Sequence, residues 1–483
     1  MLTQTKETTI PTNFDKSLDE AVSQELRPRF RGELLNPTNA RYDEVRKVYN
    51  SMIDKHPALI ARCVDVADVI AAVNFGRERR LEIAIRSGGH HGAGFSLCDG
   101  GLVIDLSQMK GIHVDAADRT VRVEGGCVWG DVDHATQPFN LAVPSGFIST
   151  TGVGGLTLGG GVGYLTRKYG LTIDNFLGAE VVLADGRLVT ANATENTDLF
   201  WALRGGGGNF GVVTSFLFKL NPVSMVYGGP MFWPMDQAAR LLKFWRDRIM
   251  TAPDDLNGWF GFHYVPPAPM FPQEHHLKQV CVIVWCYSGD LNKAEEVFKP
   301  IRQFEKPLMD FAGPIPWPTL QSMFDGLYPP GLQWYWRADF VKEISDKAID
   351  LHVKYGAQLP TGHSTMHLYP INGAAHRLGK NDTAWSYREA NFVQVIVGVD
   401  PDPANNAPMI QWAKDYSVAL HPYSAGGAYV NMFMDEGEER VKAAYRDNYG
   451  RLAQIKAKYD PTNLFHLNQN IKPYRKTSRN DPM

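Results

Sequence analysis

Cysteine is sparse in this chain of 483 residues, and what there is forms no pattern. Cys63, Cys98, Cys127, Cys281 and Cys286 include no C-x-x-C pair, so structural zinc is not expected. Scattered thiols of this kind read as buried core residues of a protein kept in a reducing cytoplasm. Long apolar runs are absent as well, and no stretch of eighteen apolar residues is available to span a membrane. Residues 1–6 lack the apolar core of a signal peptide, which again points to the cytoplasm. An excess of one charge is also missing. The formal net charge is −3, so nucleic acid is not an expected partner. The basic cluster Lys472, Arg475 and Lys476 reads as a solvated tail. His275 and His276 sit in a Pro-rich stretch and read as loop surface, and no metal is expected.

What is present is an ordinary globular balance, 44% hydrophobic and 21% charged, on a chain long enough for two or three domains. Periodicity places an amphipathic helix over 65–80, with strands over 59–63 and 81–86 on either side. Further strands are expected over 102–106 and 120–124. A hairpin over 179–190 turns at Ala184-Asp185-Gly186. A short helix follows, capped by Asn196 or Thr197. Near residue 223 the character changes. Strands are expected over 258–265, 279–287, 333–342, 364–369 and 391–399, and helices over 236–250, 292–304 and 344–357. That alternation describes an antiparallel sheet covered by helices on one face. One more helix is expected over 438–458.

Three glycine-rich segments carry the chemistry. The first reads Arg86-Ser87-Gly88-Gly89-His90-His91-Gly92-Ala93-Gly94 and follows directly from a strand. Such a turn can aim successive backbone N–H groups at one anion, such as a pyrophosphate. His90 stands inside it, where an imidazole touches or bonds a ligand. The second, 152–163, holds Gly152, Gly154, Gly155, Gly159, Gly160 and Gly163 among apolar residues. A flexible linker would carry serines and charges instead, so the chain here passes close to something bulky. The third, 205–211, contains a G-x-G-x-x-G match ending at Gly211. A helix precedes it and a strand from Val212 follows, the reverse of the dinucleotide fingerprint, so a nicotinamide site is disfavoured. Together the three segments modestly favour one extended, phosphate-bearing cofactor over tight structural turns.

At these residues the chain resembles the berberine bridge enzyme-like FAD-linked oxidases of the p-cresol methylhydroxylase/vanillyl alcohol oxidase superfamily. The resemblance rests on Arg86 to His90, on 152–163 with Asp174-Asn175, on 203–213, and on two late blocks. Those blocks are Asn448-Tyr449-Gly450-Arg451-Leu452 and the stretch from Lys458 through Gln469-Asn470-Ile471. It implies an α+β fold: a two-part FAD-binding domain over 1–222, a substrate domain over 223–425, and a C-terminal segment over 426–483 that returns to the first part. It implies FAD bonded covalently to His90. Around that bond it places Arg86, Ser87, Gly88, Gly89, His91, Gly92, the glycines of the second segment, Gly211, Val212, Asn468 and Gln469. Many relatives add a second bond through a cysteine. The corresponding position here is Ile148, so a single histidyl link is expected.

The implied reaction takes hydride from a small organic substrate, an alcohol, lactol or amine with an aromatic lean, and dioxygen reoxidises the flavin to give hydrogen peroxide. A flavin dehydrogenase with another acceptor, and a non-catalytic flavin binder, are the alternatives. The base is open. Relatives that oxidise sugars often carry Tyr-x-Asn-Tyr, and this chain has Tyr429-Val430-Asn431-Met432. Met432 has no proton to exchange, so another group supplies the base or the substrate needs none. Strand alternation sets His363, Thr365, His367 and Tyr369 on one side, and Tyr335, Arg337 and Asp339 on one face of theirs. From these His367, Tyr369 and Tyr429 are taken as the catalytic residues. Histidine is the better base near neutral pH.

Overall fold

The computed structural model describes residues 16–475. Residues 1–6 and Lys476 lie outside the described residues. The first apolar strands form a sheet in the order β1-β2-β4-β3, from β1 (Glu33–Leu35), β2 (Leu59–Arg62), β3 (Ile83–Arg86) and β4 (Leu102–Asp105). β4 runs parallel to β2 and β3 and is buried throughout, which is why it reads Leu-Val-Ile without alternation. The crossover between β2 and β3 is α1 (Val66–Glu78). Asp65 caps it by accepting the Asp68 N–H at 3.0 Å. Val69, Ala72, Val73 and Phe75 bury one stripe of α1 in the core of this part. β3 ends at Arg86, so the chain leaves the sheet straight into the first glycine turn.

A second sheet is antiparallel, in the order β5-β6-β9-β7-β8. Its strands are β5 (Ile112–Asp115), β6 (Thr120–Glu124), β7 (Phe176–Val182), β8 (Leu188–Asn192) and β9 (Val212–Lys219). The hairpin read at 179–190 is β7–β8, with Val182 opposite Leu188 and Gly186 at φ +84° in the turn. The second glycine segment opens α2 (Val153–Leu158). Asn196 stands at the N-cap of α3 (Thr197–Leu203), but its side chain donates to the Thr190 carbonyl at 2.7 Å instead of capping.

The third sheet has eight antiparallel strands. They are β10 (Met225–Pro234), β11 (Leu256–Tyr264), β12 (Gln279–Tyr287), β13 (Met309–Asp310), β14 (Gly313–Pro316), β15 (Gln333–Val341), β16 (Thr365–Pro370) and β17 (Phe392–Asp400). Their order is β13-β10-β12-β11-β16-β17-β15, with β14 beside β10. Helices α4 (Ala238–Thr251), α5 (Ala294–Phe304), α6 (Asp346–Gly356) and α7 (Asn406–Leu420) accompany it. Leu241, Trp245, Ile349 and Trp412 from the helices pack on Phe260, Ile283, Met366 and Ile396 of the sheet. The opposite sheet face carries Trp259, Trp334, Trp336, Tyr369, Val395 and Val397. β10 and α7 escaped the sequence reading. Gly228, Gly229 and Pro230 hide the strand. Pro408 lies in the first turn of α7, where no backbone N–H is needed.

The helix expected over 438–458 is two helices, α8 (Glu438–Tyr445) and α9 (Tyr449–Tyr459). The break is at Arg446, with φ +45°. Its guanidinium pairs with Glu389 and lies 3.9 Å above the Tyr387 ring, and those contacts hold the turn open. Leu452, Ala453 and Ile455 of α9 then pack with Leu199 and Leu203 of α3 in the core beneath the second sheet. All five cysteines are buried and unpaired. Among the described residues, no helix is long and apolar enough to cross a membrane.

Candidate active site

A cavity of about 320 Å³ reaches from the first two sheets to the bare face of the third. One end is apolar, lined by Ile83, Ile85, Leu106, Val213 and Phe216. The middle is bounded mostly by backbone, at the turn from Ser87 to His91 and at Gly152, Gly154, Gly155, Gly208 and Gly211. The far end meets Trp259, Trp334 and Trp336 together with Thr365, His367 and Tyr369. The two glycine turns touch each other. A Cβ on Gly88 would sit 2.5 Å from the Gly152 nitrogen, and one on Gly152 would sit 2.4 Å from the Gly88 nitrogen. Gly155 and Gly208 instead face open space, with nothing within 4 Å of a Cβ position. Ser87 Oγ and Asn468 Oδ1 are buried in the cavity lining and have no hydrogen-bond partner among the described residues. Unpartnered buried polar atoms call for a ligand that satisfies them. An apolar slot, a backbone cradle and spare acceptors fit the adenine, pyrophosphate and sugar hydroxyls of FAD.

His90 stacks on Tyr49, ring centroids 3.9 Å apart and 16° from parallel. Thr150 Oγ1 lies 3.3 Å from its Nε2. Burial lowers the His90 pKa to about 4, against a hydrogen bond to the Thr150 backbone, so the ring is neutral near pH 7. His91 also lines the cavity, and burial, aided by Lys55, lowers it to about 4. Its Nδ1 accepts the Ala93 N–H at 3.2 Å, so that side of the ring braces the turn.

Several expected cofactor residues do not line the cavity. Arg86 turns away into a buried ion pair with Asp105, at 2.7 Å, and donates to the Val45 carbonyl. Gly92 is covered by Trp336, Gly159 by Asn431 and Gly160 by Trp385. Gly163 abuts the Ser145 carbonyl. Val212 is core beside α1 and β4. Gln469 donates to the Met434 carbonyl at 3.2 Å. These residues shape the walls from behind.

The polar end is assembled by β16. Thr365, His367 and Tyr369 alternate onto its cavity face as expected. The Tyr369 hydroxyl lies 2.6 Å from His367 Nδ1, and its ring stacks on Phe147 at 4.2 Å. Burial, with the neighbouring His263, pushes His367 well below the usual imidazole range, and burial raises Tyr369 well above the usual phenol range. Both are neutral near pH 7. Tyr429 also reaches the cavity, and burial raises it to about 12. Its oxygen already accepts the Gly161 N–H and an Asn431 Nδ2–H, each at 2.9 Å. Met432 lines the cavity beside it, as does Ile148. Tyr335, Arg337 and Asp339 face the other way, where Arg337 pairs with Glu436 and Asp339 with Arg440. Gln394 is the register partner of Asp339 on that same far side.

Sequence reasoning missed Tyr49, Thr150, Phe147 and His263. His263 shares the parity of Trp259 on β11, a signal that was legible, but the pairing that brings β11 beside β16 was not.

Two family models match this chain. "FAD binding domain" covers residues 57–192, and "Berberine and berberine like" covers residues 428–472. An FAD-linked oxidoreductase of Dictyostelium discoideum is 34% identical over 432 residues, which is 89% of this chain and 92% of that protein. The (R)-6-hydroxynicotine oxidase of Paenarthrobacter nicotinovorans is 30% identical over 461 residues, 92% of this chain and 97% of that one. The crystal structure of 6-hydroxy-D-nicotine oxidase from Arthrobacter nicotinovorans superposes with a TM-score of 0.82 at 26% identity, covering 92% of this chain and 98% of that one. The chain is an oxidoreductase enzyme, and it belongs to the berberine bridge enzyme-like family of FAD-linked oxidoreductases.

Proposed function

We propose that this protein is an oxidase that removes hydride from a neutral, aromatic alcohol or lactol, with FAD joined to His90 and dioxygen as the final acceptor, giving hydrogen peroxide. The observation that carries the reading is the meeting, in one cavity, of the His90 turn with the Tyr369–His367 pair. When bound, the flavin supplies a two-electron acceptor for hydride from a substrate C–H bond. Attachment is assigned to His90 Nδ1, because Thr150 engages the other ring nitrogen. With Ile148 in the lining, no thiol is offered for a second bond there.

Tyr369 takes the substrate's hydroxyl proton while passing its own to His367 Nδ1, a general-base step at a stated pair of atoms. Tyr429 is assigned as a donor, since its oxygen already accepts two N–H bonds and its own proton is the one left to give. Trp259, Trp334, Trp336 and Phe147 supply flat apolar walls, which favours an aromatic ring. Among the described residues, no Asp, Glu, Lys or Arg lines the cavity, which favours an uncharged substrate. The division of labour is proposed as 1–222 with 426–483 for FAD and 223–425 for substrate. The third sheet, which begins at Met225 and ends at Asp400, supports that division. A second reading, an amine substrate, draws on the relative named as a hydroxynicotine oxidase.

Anaerobic mixing of the holoenzyme with neutral aromatic alcohols, lactols, free sugars and amines tests the proposal. Aromatic alcohols or lactols should bleach the flavin, and air should restore its colour within the turnover time. Slow return in air would make the protein a dehydrogenase. Absence of bleaching across all four classes would leave only a flavin binder.

A further inference from the structure

β11 and β16 pair with Gly261 opposite His367, which brings His263 beside Thr365. Gly261 is the reason the histidine rings meet. A Cβ there would lie 2.9 Å from His367 Cδ2, so only glycine lets that ring lean across to β11. His263 Nε2 and His367 Nε2 are 3.0 Å apart, and Thr365 Oγ1 is 3.0 Å from each. The Thr365 hydroxyl donates to the Phe262 carbonyl at 2.9 Å, so its oxygen accepts from whichever of the two imidazoles carries hydrogen on Nε2. Two facing ring nitrogens at this distance share one proton. Two N–H groups would collide, and two lone pairs would repel. The position of that proton decides what Tyr369 does. If it sits on His367 Nε2, then His367 Nδ1 is a lone pair and receives the Tyr369 O–H, leaving the phenol oxygen free to accept. If it sits on His263, His367 Nδ1 carries the hydrogen and Tyr369 can only donate to the cavity.

We propose that His263 is a positioning residue that terminates a proton relay running from Tyr369 through His367. The proposal rests on the reading of Tyr369 as proton acceptor given above. The substrate hydroxyl gives its proton to Tyr369. Tyr369 gives its own to His367 Nδ1, and His367 gives its Nε2 proton to His263 Nε2. Each oxygen and nitrogen along the path breaks one bond to hydrogen as it forms another, and the charge arrives on His263. His263 does not line the cavity, so the proton is set down away from the substrate; burial lowers the His263 pKa to about 4, so the charge does not stay there at pH 7. The titratable groups around the pair are Tyr369 on the same strand, with Tyr164 and Tyr328 facing that tyrosine. All are uncharged near pH 7, so none holds the proton in place.

The test uses holoenzyme labelled with ¹⁵N-histidine. Among its 14 histidines, one Nε2–H should show scalar coupling to a second imidazole nitrogen, and the coupling should vanish in His263→Phe and His263→Gln. With benzyl alcohol as the probe, His263→Phe should slow anaerobic flavin reduction at pH 7 at least ten-fold. That deficit should shrink as pH rises and hydroxide replaces the lost acceptor. His263→Gln, which keeps a hydrogen-bonding side chain, guards against misfolding and should fall between. Equal rates and pH profiles at full flavin content would overturn the relay, and so would the absence of any coupled nitrogen pair in the wild type. If benzyl alcohol leaves the wild-type flavin coloured, the substrate reading fails, and the coupling alone decides the relay.

Discussion

Tyr429 and Tyr369 are both buried phenols at the cavity, yet their oxygens are differently committed. Tyr429 accepts two N–H bonds, whereas Tyr369 faces a single imidazole nitrogen. General-base catalysis contributes roughly 10²–10⁴-fold. Tyr369→Phe should therefore slow anaerobic flavin reduction at least ~100-fold, and Tyr429→Phe less than ~10-fold. Stopped-flow absorbance separates them, and the reverse order would return the base to Tyr429. A second buried group gives a pH signature. Asp133 is fully enclosed; one oxygen accepts the Trp317 indole N–H at 2.8 Å and the other has no partner among the described residues. Burial, with Asp325 nearby, raises its pKa from 3.8 to about 7. The native state then holds a proton that the unfolded chain releases. Stability falls as pH rises from 3.8 toward about 7, and levels off above that. The loss is on the order of 3–5 kcal/mol. Asp133→Asn keeps the acceptor for Trp317 and should flatten this slope. Chemical denaturation at pH 5 and pH 8 measures it, and a slope equal to that of the wild type would contradict the assignment. At this scale the sequence was informative where a motif fixes a turn, as at His90, and silent where a partner comes from far along the chain. Arg86 looked like a ligand residue because it opens the motif, but Asp105 on the neighbouring strand claims it.

Among the elements, strand alternation separated the faces of β15 and β16 correctly. It could not say which face meets the cavity. On β16 the polar face does, and on β15 the aromatic face does, because the antiparallel register sets Trp336 opposite Val397 and Thr365 opposite Val397 on the other side. The polar face of β15 meets Glu436 and Arg440 from the C-terminal segment, whose return was not legible in local pattern. α8 and α9 were read as one helix because Arg446 is a good helix former, and only its long-range contacts to Glu389 and Tyr387 break it. The glycine turns were legible as close approaches, but the object approached was partly the other turn. Gly152→Ala sets a methyl against the Gly88 backbone. It should cost ~1–3 kcal/mol and lower flavin content, because backbone cannot yield as a side chain does. Urea unfolding and the flavin-to-protein absorbance ratio measure both effects, and an unchanged ratio would show that the turns have slack.

The whole molecule is a cavity held between sheets by buried ionic and polar tethers. Asp174, part of a motif that resembled a cofactor segment, pairs with Arg388 at 2.7 Å. Arg167 crosses to the third-sheet region and donates to Asn372 and to the carbonyls of Ala252 and Pro253. Neither tether is readable from one sequence, since each joins residues more than eighty positions apart. They hold the His90 turn and the β16 dyad on opposite sides of one space. The whole account rests on His90 being bonded to the flavin within that space. Trypsin should release residues 87–110 as one peptide, with cleavage after Arg86 and Lys110. Mass spectrometry of the acid-precipitated holoenzyme should find that peptide carrying a flavin nucleotide, with fragmentation placing the addition on His90. An unmodified 87–110 peptide from a pellet that has lost its yellow colour would contradict the account.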